Sequence, residues 1–186
     1  MNVIKNLVST ESFGIKGINY YWVRKDLFGF TKDELKSVGV LNNLAYVHSD
    51  IIESLAFAQR TLQLAGFELL VKDAYRSPEL YKMIVEKRSK QFGVEETVRL
   101  FNLVDMPHAT GLAVDVNLIS LETTEEVDLR DKTVSDKAYF VNYYKTSLHP
   151  KAGLYQSLQD TLARAMHNAG FKYGKKLEYW HFDYSI

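Results

Sequence analysis

Two of the five histidines in the sequence lie among residues that could hold a metal ion. His108 stands just before an alternating strand pattern, and that pattern carries Asp115 on the same face as the small residue Ala113. An unpaired carboxylate is costly inside an otherwise apolar strand, and a metal shared with His108 would give Asp115 a partner. The spacing leaves a second interpretation equally open, in which Asp115 bonds to the backbone or to an arginine.

A second cluster of reactive side chains lies near the end of the sequence, where Glu178 precedes His181 by three positions. In a zinc hydrolase, a glutamate that lies beside the metal without binding it moves a proton from water to the leaving amine. Residues three apart on a flat strand face opposite sides, so Glu178 must lie at the mouth of the strand or on a bulge. Taken alone, the segment favours a half-buried hairpin histidine.

Together these residues indicate a catalytic metal site. Two histidines and one aspartate make a three-ligand site with an open fourth position, which is typical of catalytic zinc. Arg76 ends another predicted strand, where it could present its planar fork to the oxyanion of a tetrahedral intermediate while Asp73 orients it. The competing interpretation is a surface arginine that pairs with Glu79.

The elements that must position these residues can be predicted from periodicity. Alternating patterns predict strands over Phe67–Tyr75 and Gly111–Ile119 and a hairpin over 171–184. Helical patterns predict four helices: one from Ser49–Asp50 to Gly66 with Asp50 and Glu53 as a capping box, one from Ser77-Pro78 onward, one over about Glu95–Val104, and one over Ala152–Ala169.

These elements predict one α+β domain spanning residues 1–186, because helices and strands alternate without regular βαβ repetition. The fold class predicted is a small antiparallel sheet packed with helices, with the zinc site at the sheet face. Residues 1–48 are predicted to be irregular and aromatic-rich. The last helix is predicted to bury one face, which consists of Leu154, Leu158, Leu162, Ala165 and Ala169.

The composition excludes several other classes of function. Lys plus Arg number 23 and Asp plus Glu number 23, so the chain lacks the positive charge typical of nucleic-acid and membrane-surface binders. There is no cysteine, which excludes disulfides, a cysteine nucleophile and cysteine-bound zinc. No signal-peptide core or membrane span is visible. We therefore expect a cytoplasmic protein, or a periplasmic one if a signal peptide has been removed.

Three sequence blocks carry a resemblance to a known family. The blocks are D-A-Y-R at 73–76, H-x-x-G-x-A-x-D at 108–115 and E-x-W-H-F-D-Y at 178–184. Their order and separation resemble the D-alanyl-D-alanine dipeptidases, which are zinc peptidases that include the vancomycin-resistance dipeptidases. D,D-carboxypeptidases and the hedgehog signalling-domain fold are related to that family.

The resemblance implies a role for each matched residue. His108, Asp115 and His181 would bind one Zn²⁺, Glu178 would be the general base and acid, and Arg76 would stabilise the transition state. Substrate contacts would come from Tyr21 and from Asp136, which would receive the substrate amine. Two positions depart from the family pattern: Met106 stands where serine is usual, and Ser77 is inserted between Arg76 and a proline.

The implied function is hydrolysis of D-alanyl-D-alanine or a closely related dipeptide by a zinc-activated water. Two alternatives stay open. One is a D,D- or L,D-carboxypeptidase that acts on longer cell-wall peptides of peptidoglycan, and the other is a non-catalytic zinc-containing binding module. The expected partner is a small peptide, with no nucleic acid, and the oligomeric state is not indicated.

Overall fold

The computed structural model describes residues 6–100 and 105–186, and short strands and helices alternate irregularly along them. The strands are β1 (Leu7–Ser9), β2 (Lys16–Gly17), β3 (Tyr46–His48), β4 (Phe67–Asp73), β5 (Ala113–Ser120), β6 (Lys172–Tyr173) and β7 (His181–Asp183). The helices are α1 (Tyr20–Val23), α2 (Lys32–Ser37), α3 (Ile52–Gln63), α4 (Pro78–Phe92), α5 (Val94–Leu100), α6 (Tyr143–Thr146) and α7 (Ala152–Asn168). The predicted α+β class is confirmed.

The main sheet has five strands in the order β2-β4-β5-β7-β6. The pairs β4–β5, β5–β7 and β6–β7 are antiparallel, as predicted. The short edge strand β2 joins β4 in parallel, and β1 pairs with β3 in a separate two-stranded sheet. These additions come from the first 48 residues, whose two- and three-residue strands are too short to show a period in the sequence.

Strand β5 is the centre of the sheet and follows the predicted alternation. Val114, Val116 and Leu118 are fully buried in the main core. Asp115 and Asn117 are half-buried on the opposite face. The sheet therefore has an apolar face covered by helices and a polar face on which a site can form.

Helices α3 and α7 cover the apolar face, and two details of their prediction are wrong. A 3-10 turn, Ser49–Ile51, precedes α3, and His48 caps it: the His48 ring nitrogen accepts a hydrogen bond from the Asp50 backbone N–H at 3.3 Å. Asp50 and Glu53 therefore do not form the predicted capping box. Leu154 of the predicted inward face is 54% exposed, whereas Leu162, Ala165 and Ala169 of that face are buried. The other buried residues of α7 are Ala152, Tyr155, Gln159, Ala163 and Met166.

Helix α4 begins where the sequence predicts, and α5 matches its prediction in part. The Ser77 hydroxyl accepts a hydrogen bond from the Leu80 backbone N–H at 3.1 Å, and Pro78 occupies the first helical position. Helix α5 is described over Val94–Leu100, and the remainder of the predicted helix over Glu95–Val104 lies outside the described residues. Strand β4 ends at Asp73, two residues before the predicted Tyr75.

The aromatic N-terminal region forms a second core beside the start of α4. Tyr21, Phe28 and Phe30 are buried there against Leu35 of α2 and Leu80 of α4. This core packs against α4, which begins two residues after Arg76. Across the described ranges, no helix combines the length and apolar character that a membrane crossing requires.

Candidate metal centre

Three side chains meet on the polar face of the sheet with one ligand atom each. The distance from His108 Nε2 to His181 Nδ1 is 3.2 Å, and from His181 Nδ1 to Asp115 Oδ1 it is 2.8 Å. His108 Nε2 lies 3.5 Å from Asp115 Oδ1. The three atoms therefore form a compact triangle that could hold a metal ion.

The donor set and its dimensions fit a tetrahedral ion such as zinc. Imidazole nitrogen and carboxylate oxygen bind zinc at about 2.0–2.2 Å, so two ligands of a tetrahedral ion lie roughly 3.3–3.6 Å apart. Two of the three observed separations are within about 0.1 Å of that range, and the third is shorter by about half an ångström. A fourth position is left for a ligand from the cleft.

The backbone brings the three residues together through two adjacent strands and one turn. Asp115 on β5 and His181 on β7 are direct partners in the sheet register. His108 lies on a 3-10 turn, Pro107–Thr110, that ends in a left-handed conformation at Gly111 with φ of 73°. A Cβ at Gly111 would lie 3.0 Å from the His48 backbone nitrogen. Glycine is therefore favoured here both by the left-handed backbone and by the lack of space for a side chain.

Each histidine is oriented by a second hydrogen bond. His108 Nδ1 lies 2.7 Å from the Ala74 carbonyl oxygen, to which it donates, and this leaves Nε2 as the ligand atom. His181 Nε2 lies 3.1 Å from Asp183 Oδ1, which leaves Nδ1 facing the centre. Such outer contacts fix the tautomer and ring orientation of metal-binding histidines.

The electrostatics of the three groups also suit a cation. Burial lowers the pKa of His108, and the Arg76 charge lowers it further, so this ring is neutral. Burial alone would raise the pKa of Asp115, but the neighbouring histidines hold it well below its usual range. Burial alone would lower the pKa of His181, but its hydrogen bonds to Asp115 and Asp183 raise it to about 10. A cation bound here would displace that proton.

Arg76 joins the metal centre to the end of β4. A register shift between Val71 and Asp73 places Asp73 opposite Asp115, so two carboxylates face each other across the strands. Arg76 Nη2 lies 2.9 Å from Asp73 Oδ2 and 3.0 Å from Asp115 Oδ2. The guanidinium thus offsets both negative charges and holds the Asp115 oxygen that faces away from the histidines.

Two tyrosine rings hold the Arg76 guanidinium in place. Its central carbon lies 5.4 Å from the ring centre of Tyr21 and 5.5 Å from that of Tyr81. Burial alone would lower the pKa of Arg76, but Asp73 raises it well above its usual value, so the group stays charged. The competing prediction, a surface arginine paired with Glu79, is wrong, because Arg76 is only 8% exposed.

Glu178 lies just ahead of β7, in the same cleft as the metal centre. A turn at residues 179–180 separates it from His181, whose backbone N–H donates to the Glu178 carbonyl oxygen at 3.3 Å. Glu178 is therefore at the strand mouth, where the sequence requires it. Burial raises the pKa of its carboxyl group, and the Asp115 charge raises it further. A carboxyl group of this kind can exchange protons nearer to neutral pH.

The cleft has a volume of about 450 Å³ and contains most, but not all, of the predicted site residues. Its lining includes Tyr21, Asp73, Arg76, His108, Asp115, Glu178 and His181. Asp136 is exposed on a 3-10 turn, Asp136–Tyr139, that directs Tyr139 rather than Asp136 into the cleft. The expectation that Asp136 contacts substrate in this cleft is therefore not supported by its position.

The two positions that depart from the family pattern also lie away from the cleft lining. Ser77 caps α4 and donates a hydrogen bond to the Val38 carbonyl oxygen at 2.7 Å, so its role is structural. Met106 has a left-handed backbone with φ of 40° directly before Pro107. Such a conformation is uncommon for a residue with a side chain.

Sequence reasoning missed several contributors to the site. The Tyr81 hydroxyl accepts a hydrogen bond from the His108 backbone N–H at 3.2 Å, and Tyr81 could have been found on the inward face of α4, three residues after Pro78. Asp183 orients His181, and its position two residues later on the same strand face is a usable signal. The Ala74 carbonyl contact leaves no signal in the sequence.

Comparisons with known proteins give a family for the chain and a solved structure of similar fold. A family model described as D-ala-D-ala dipeptidase matches residues 29–185. A comparison with curated proteins found no match. Among solved structures, the chain is similar to the LdcB LD-carboxypeptidase, whose structure reveals the molecular basis of peptidoglycan recognition, with 19% identity and a TM-score of 0.50. The match covers 75% of this chain and only 59% of that one, and at this identity it supports the fold alone.

Proposed function

The chain belongs to the D-ala-D-ala dipeptidase family of metallopeptidases, and from that premise we propose that it is a zinc peptidase that hydrolyses D-alanyl-D-alanine or a closely related dipeptide. The observation that carries the proposal is the triangle of His108, Asp115 and His181 ligand atoms in a cleft that also contains Glu178 and Arg76. In this proposal residues 1–186 act as one catalytic domain.

Each residue of the site has a distinct part in the proposed reaction. His108, Asp115 and His181 would hold the zinc, which when bound supplies Lewis-acid activation of water and of the scissile carbonyl. Glu178 accepts the proton of the attacking water and delivers it to the leaving amine. Arg76 places a fixed positive charge where the carbonyl oxygen becomes an oxyanion, and Asp73 and the two tyrosine rings keep it there.

A second candidate is a carboxypeptidase that removes the last residue of a longer cell-wall peptide. It is favoured by the exposed position of Asp136, which deprives the cleft of the acid that the resemblance assigns to the amine of a dipeptide. A longer peptide has no free amine at that subsite. The similar solved structure is that of an LD-carboxypeptidase that recognises peptidoglycan, and the longer cell-wall peptides of this second candidate are also parts of peptidoglycan.

A non-catalytic binding module is the weakest candidate. It would need the metal ligands, but it would have no use for a half-buried glutamate with a raised pKa or for a buried arginine beside the metal ligand Asp115. Burying charged groups costs folding free energy, so their presence beside the metal ligands favours a catalytic role over a binding one.

The test is a product analysis with zinc-loaded protein. D-Ala-D-Ala, L-Ala-L-Ala, a stem tetrapeptide and a stem pentapeptide are incubated separately, and the products are identified by mass spectrometry. We expect release of D-alanine from D-Ala-D-Ala that stops when a chelator removes zinc. Cleavage of the stem peptides alone would support the carboxypeptidase, and zinc binding without any hydrolysis would support the binding module.

A further inference from the structure

Several cations line the cleft, and three of them are paired with carboxylates. Lys72 forms an ion pair with Glu126, and Lys175 Nζ lies 2.6 Å from Asp105 Oδ2. Arg76 bridges Asp73 and Asp115, as described above. These charges are already offset by the protein, so none of them has an evident need for an anionic ligand.

Arg130 also lines the cleft, but its contacts are of another kind. Its guanidinium lies 4.4 Å from the ring centre of Tyr139, and Nη1 donates to the Asp131 carbonyl oxygen at 3.0 Å. Nη2 is 3.5 Å from the Tyr139 hydroxyl, and a further hydrogen bond joins the guanidinium to Tyr179. Over residues 6–100 and 105–186, no carboxylate lies within ion-pair distance of Arg130.

The acidic side chains that adjoin Arg130 in sequence are turned to other partners. Asp128 Oδ1 lies 2.5 Å from Lys132 Nζ. Asp131 accepts a hydrogen bond from the Thr133 backbone N–H at 2.7 Å, and its other oxygen lies 3.0 Å from His149 Nε2. The protein therefore supplies no carboxylate to offset the Arg130 charge. Arginine is always protonated, and a half-buried arginine is costly without a counter-charge, so a ligand carboxylate in the cleft would stabilise it.

Aromatic side chains fix Arg130 and connect it to the metal centre. The Tyr139 ring, on which the guanidinium stacks, packs edge-on against the Trp180 ring at 5.3 Å. Trp180 directly precedes the ligand His181, and its carbonyl accepts a hydrogen bond from the Val116 backbone N–H at 2.9 Å. The Tyr179 N–H donates to the Tyr139 carbonyl oxygen at 3.1 Å, so residues 139–141 run beside residues 177–179, just ahead of the strand that carries the ligand.

We propose that Arg130 is a carboxylate-binding subsite that holds the peptide substrate at a fixed distance from the metal centre. The inference rests on the proposed function and adds to it that the substrate must be acidic at this subsite. The planar, stacked guanidinium suits a carboxylate, which it can bind with two parallel hydrogen bonds. That carboxylate is either the C-terminal group of the peptide or a free acidic group inside it, such as the α-carboxylate of a γ-linked glutamate.

Two pairs of peptides distinguish the two sources. The first pair is D-Ala-D-Ala and its C-terminal amide, and the second is a stem pentapeptide with a free or amidated interior glutamate. Binding is measured by titration calorimetry to zinc-loaded Glu178→Gln protein, which keeps the peptides intact if Glu178 is the base. We expect one of the two amidations to weaken binding about 10- to 100-fold, as for loss of a charge-assisted hydrogen-bond pair.

Arg130→Met should abolish that discrimination, so that acid and amide bind within about twofold of each other. Arg130→Lys keeps the charge without the planar fork, and it should retain only part of the discrimination. The matched control is Arg164→Met, which removes an exposed arginine of α7 and should leave the discrimination intact. Zinc content and melting temperature are measured for every variant.

Unchanged discrimination in folded Arg130→Met and Arg130→Lys proteins would overturn the subsite, and so would a failure of all four peptides to bind. The proposed hydrolysis is judged independently, by product release from the unmodified protein. Binding that depends on Arg130 without hydrolysis would sink the peptidase and leave the subsite standing.

Discussion

At the scale of single residues, the metal centre has no redundancy. Only one atom from each of His108, Asp115 and His181 reaches the centre, and each histidine is already committed through its other nitrogen. A protein with two ligands left should hold zinc far more weakly, because even the loss of an outer contact costs about 10- to 100-fold in affinity.

We therefore expect His108→Ala, Asp115→Ala and His181→Ala each to lower the zinc content of the purified protein, measured by atomic emission. The three other histidines provide matched controls: His48 caps a turn, His149 bonds to Asp131 and His167 bonds to the Phe171 carbonyl. Their alanine variants should keep wild-type zinc content. Full zinc occupancy in the His181→Ala protein would refute the ligand assignment.

Arg76 provides a test that separates chemistry from metal binding. Arg76→Lys preserves the charge but loses the fork that reaches Asp73 and Asp115 together. If Arg76 stabilises the oxyanion, kcat should fall by about 10²-fold or more while zinc stays bound. Steady-state kinetics and zinc analysis check this. A rise in KM with kcat intact would instead mean that Arg76 only grips the substrate.

Glu178 provides the complementary test, because glutamine has nearly its shape but cannot accept a proton. Glu178→Gln should lower kcat by about 10²–10⁴-fold. Zinc content should not change, and stability at neutral pH should hold or rise, because an ionised carboxylate is no longer buried. The exposed Glu86→Gln is the control. Loss of zinc in the Glu178→Gln protein would make Glu178 a ligand, and full activity would make Asp183 the next base to test.

At the scale of elements, the sequence predicts what local periodicity determines. Strand β5 and the start of α4 are confirmed, because alternation and a Ser-Pro cap are local signals. The predicted burial of Leu154 on α7 is wrong, since the buried face of a helix depends on its neighbours. The pairing of the short strands β1, β2 and β3, and the exposed position of Asp136, depend on tertiary packing that no local pattern encodes.

The candidate site also has parts that local sequence patterns predict and parts that depend on tertiary packing. Its three ligand positions could be named from type and spacing, and the strand register then places Asp115 opposite His181. The bulge that brings Asp73 level with Asp115, the stacking of Arg76 between Tyr21 and Tyr81, and the contacts of Arg130 arise from packing between distant segments. These are the features that would decide substrate preference.

Gly174, in the β6–β7 hairpin, packs so closely against the ligand His181 that no larger residue fits there. A Cβ at Gly174 would lie 2.1 Å from His181 Cδ2 and 2.7 Å from His181 Nε2. The ring would have to move, and its hydrogen bond to Asp183 would be lost. Gly174→Ala should therefore weaken zinc binding by at least about tenfold, measured by competition with a chromogenic chelator.

Gly153 is the matched control for this change. Nothing lies within 4 Å of a Cβ built there, and the residue is in α7, far from the hairpin in sequence. Gly153→Ala should leave zinc affinity unchanged and stabilise the fold by up to about 1 kcal/mol, because alanine loses less backbone entropy in a helix. Equal zinc affinity in both variants would show that His181 does not need its observed position.

At the scale of the whole molecule, the metal ligands join segments that are otherwise held separately. His108 lies on a turn outside the sheet, whereas Asp115 and His181 lie on two of its strands. A cation that binds all three ties the turn to the sheet and binds only the folded chain, because the unfolded chain does not bring these residues together. Binding should therefore raise the free energy of unfolding by mass action.

The magnitude follows from that linkage. Free zinc at about 100 times its Kd adds about 2.7 kcal/mol, and a domain of this size gains roughly 2–4 °C in Tm per kcal/mol, so Tm should rise by about 5–11 °C. Thermal unfolding followed by circular dichroism, in chelator and then at several zinc concentrations, measures the shift. Asp115→Ala should abolish it, because the charge that offsets the cation is gone, whereas Gly153→Ala should shift as the wild type does. An equal zinc shift in Asp115→Ala would place the stabilising ion elsewhere in the protein and contradict the proposed centre.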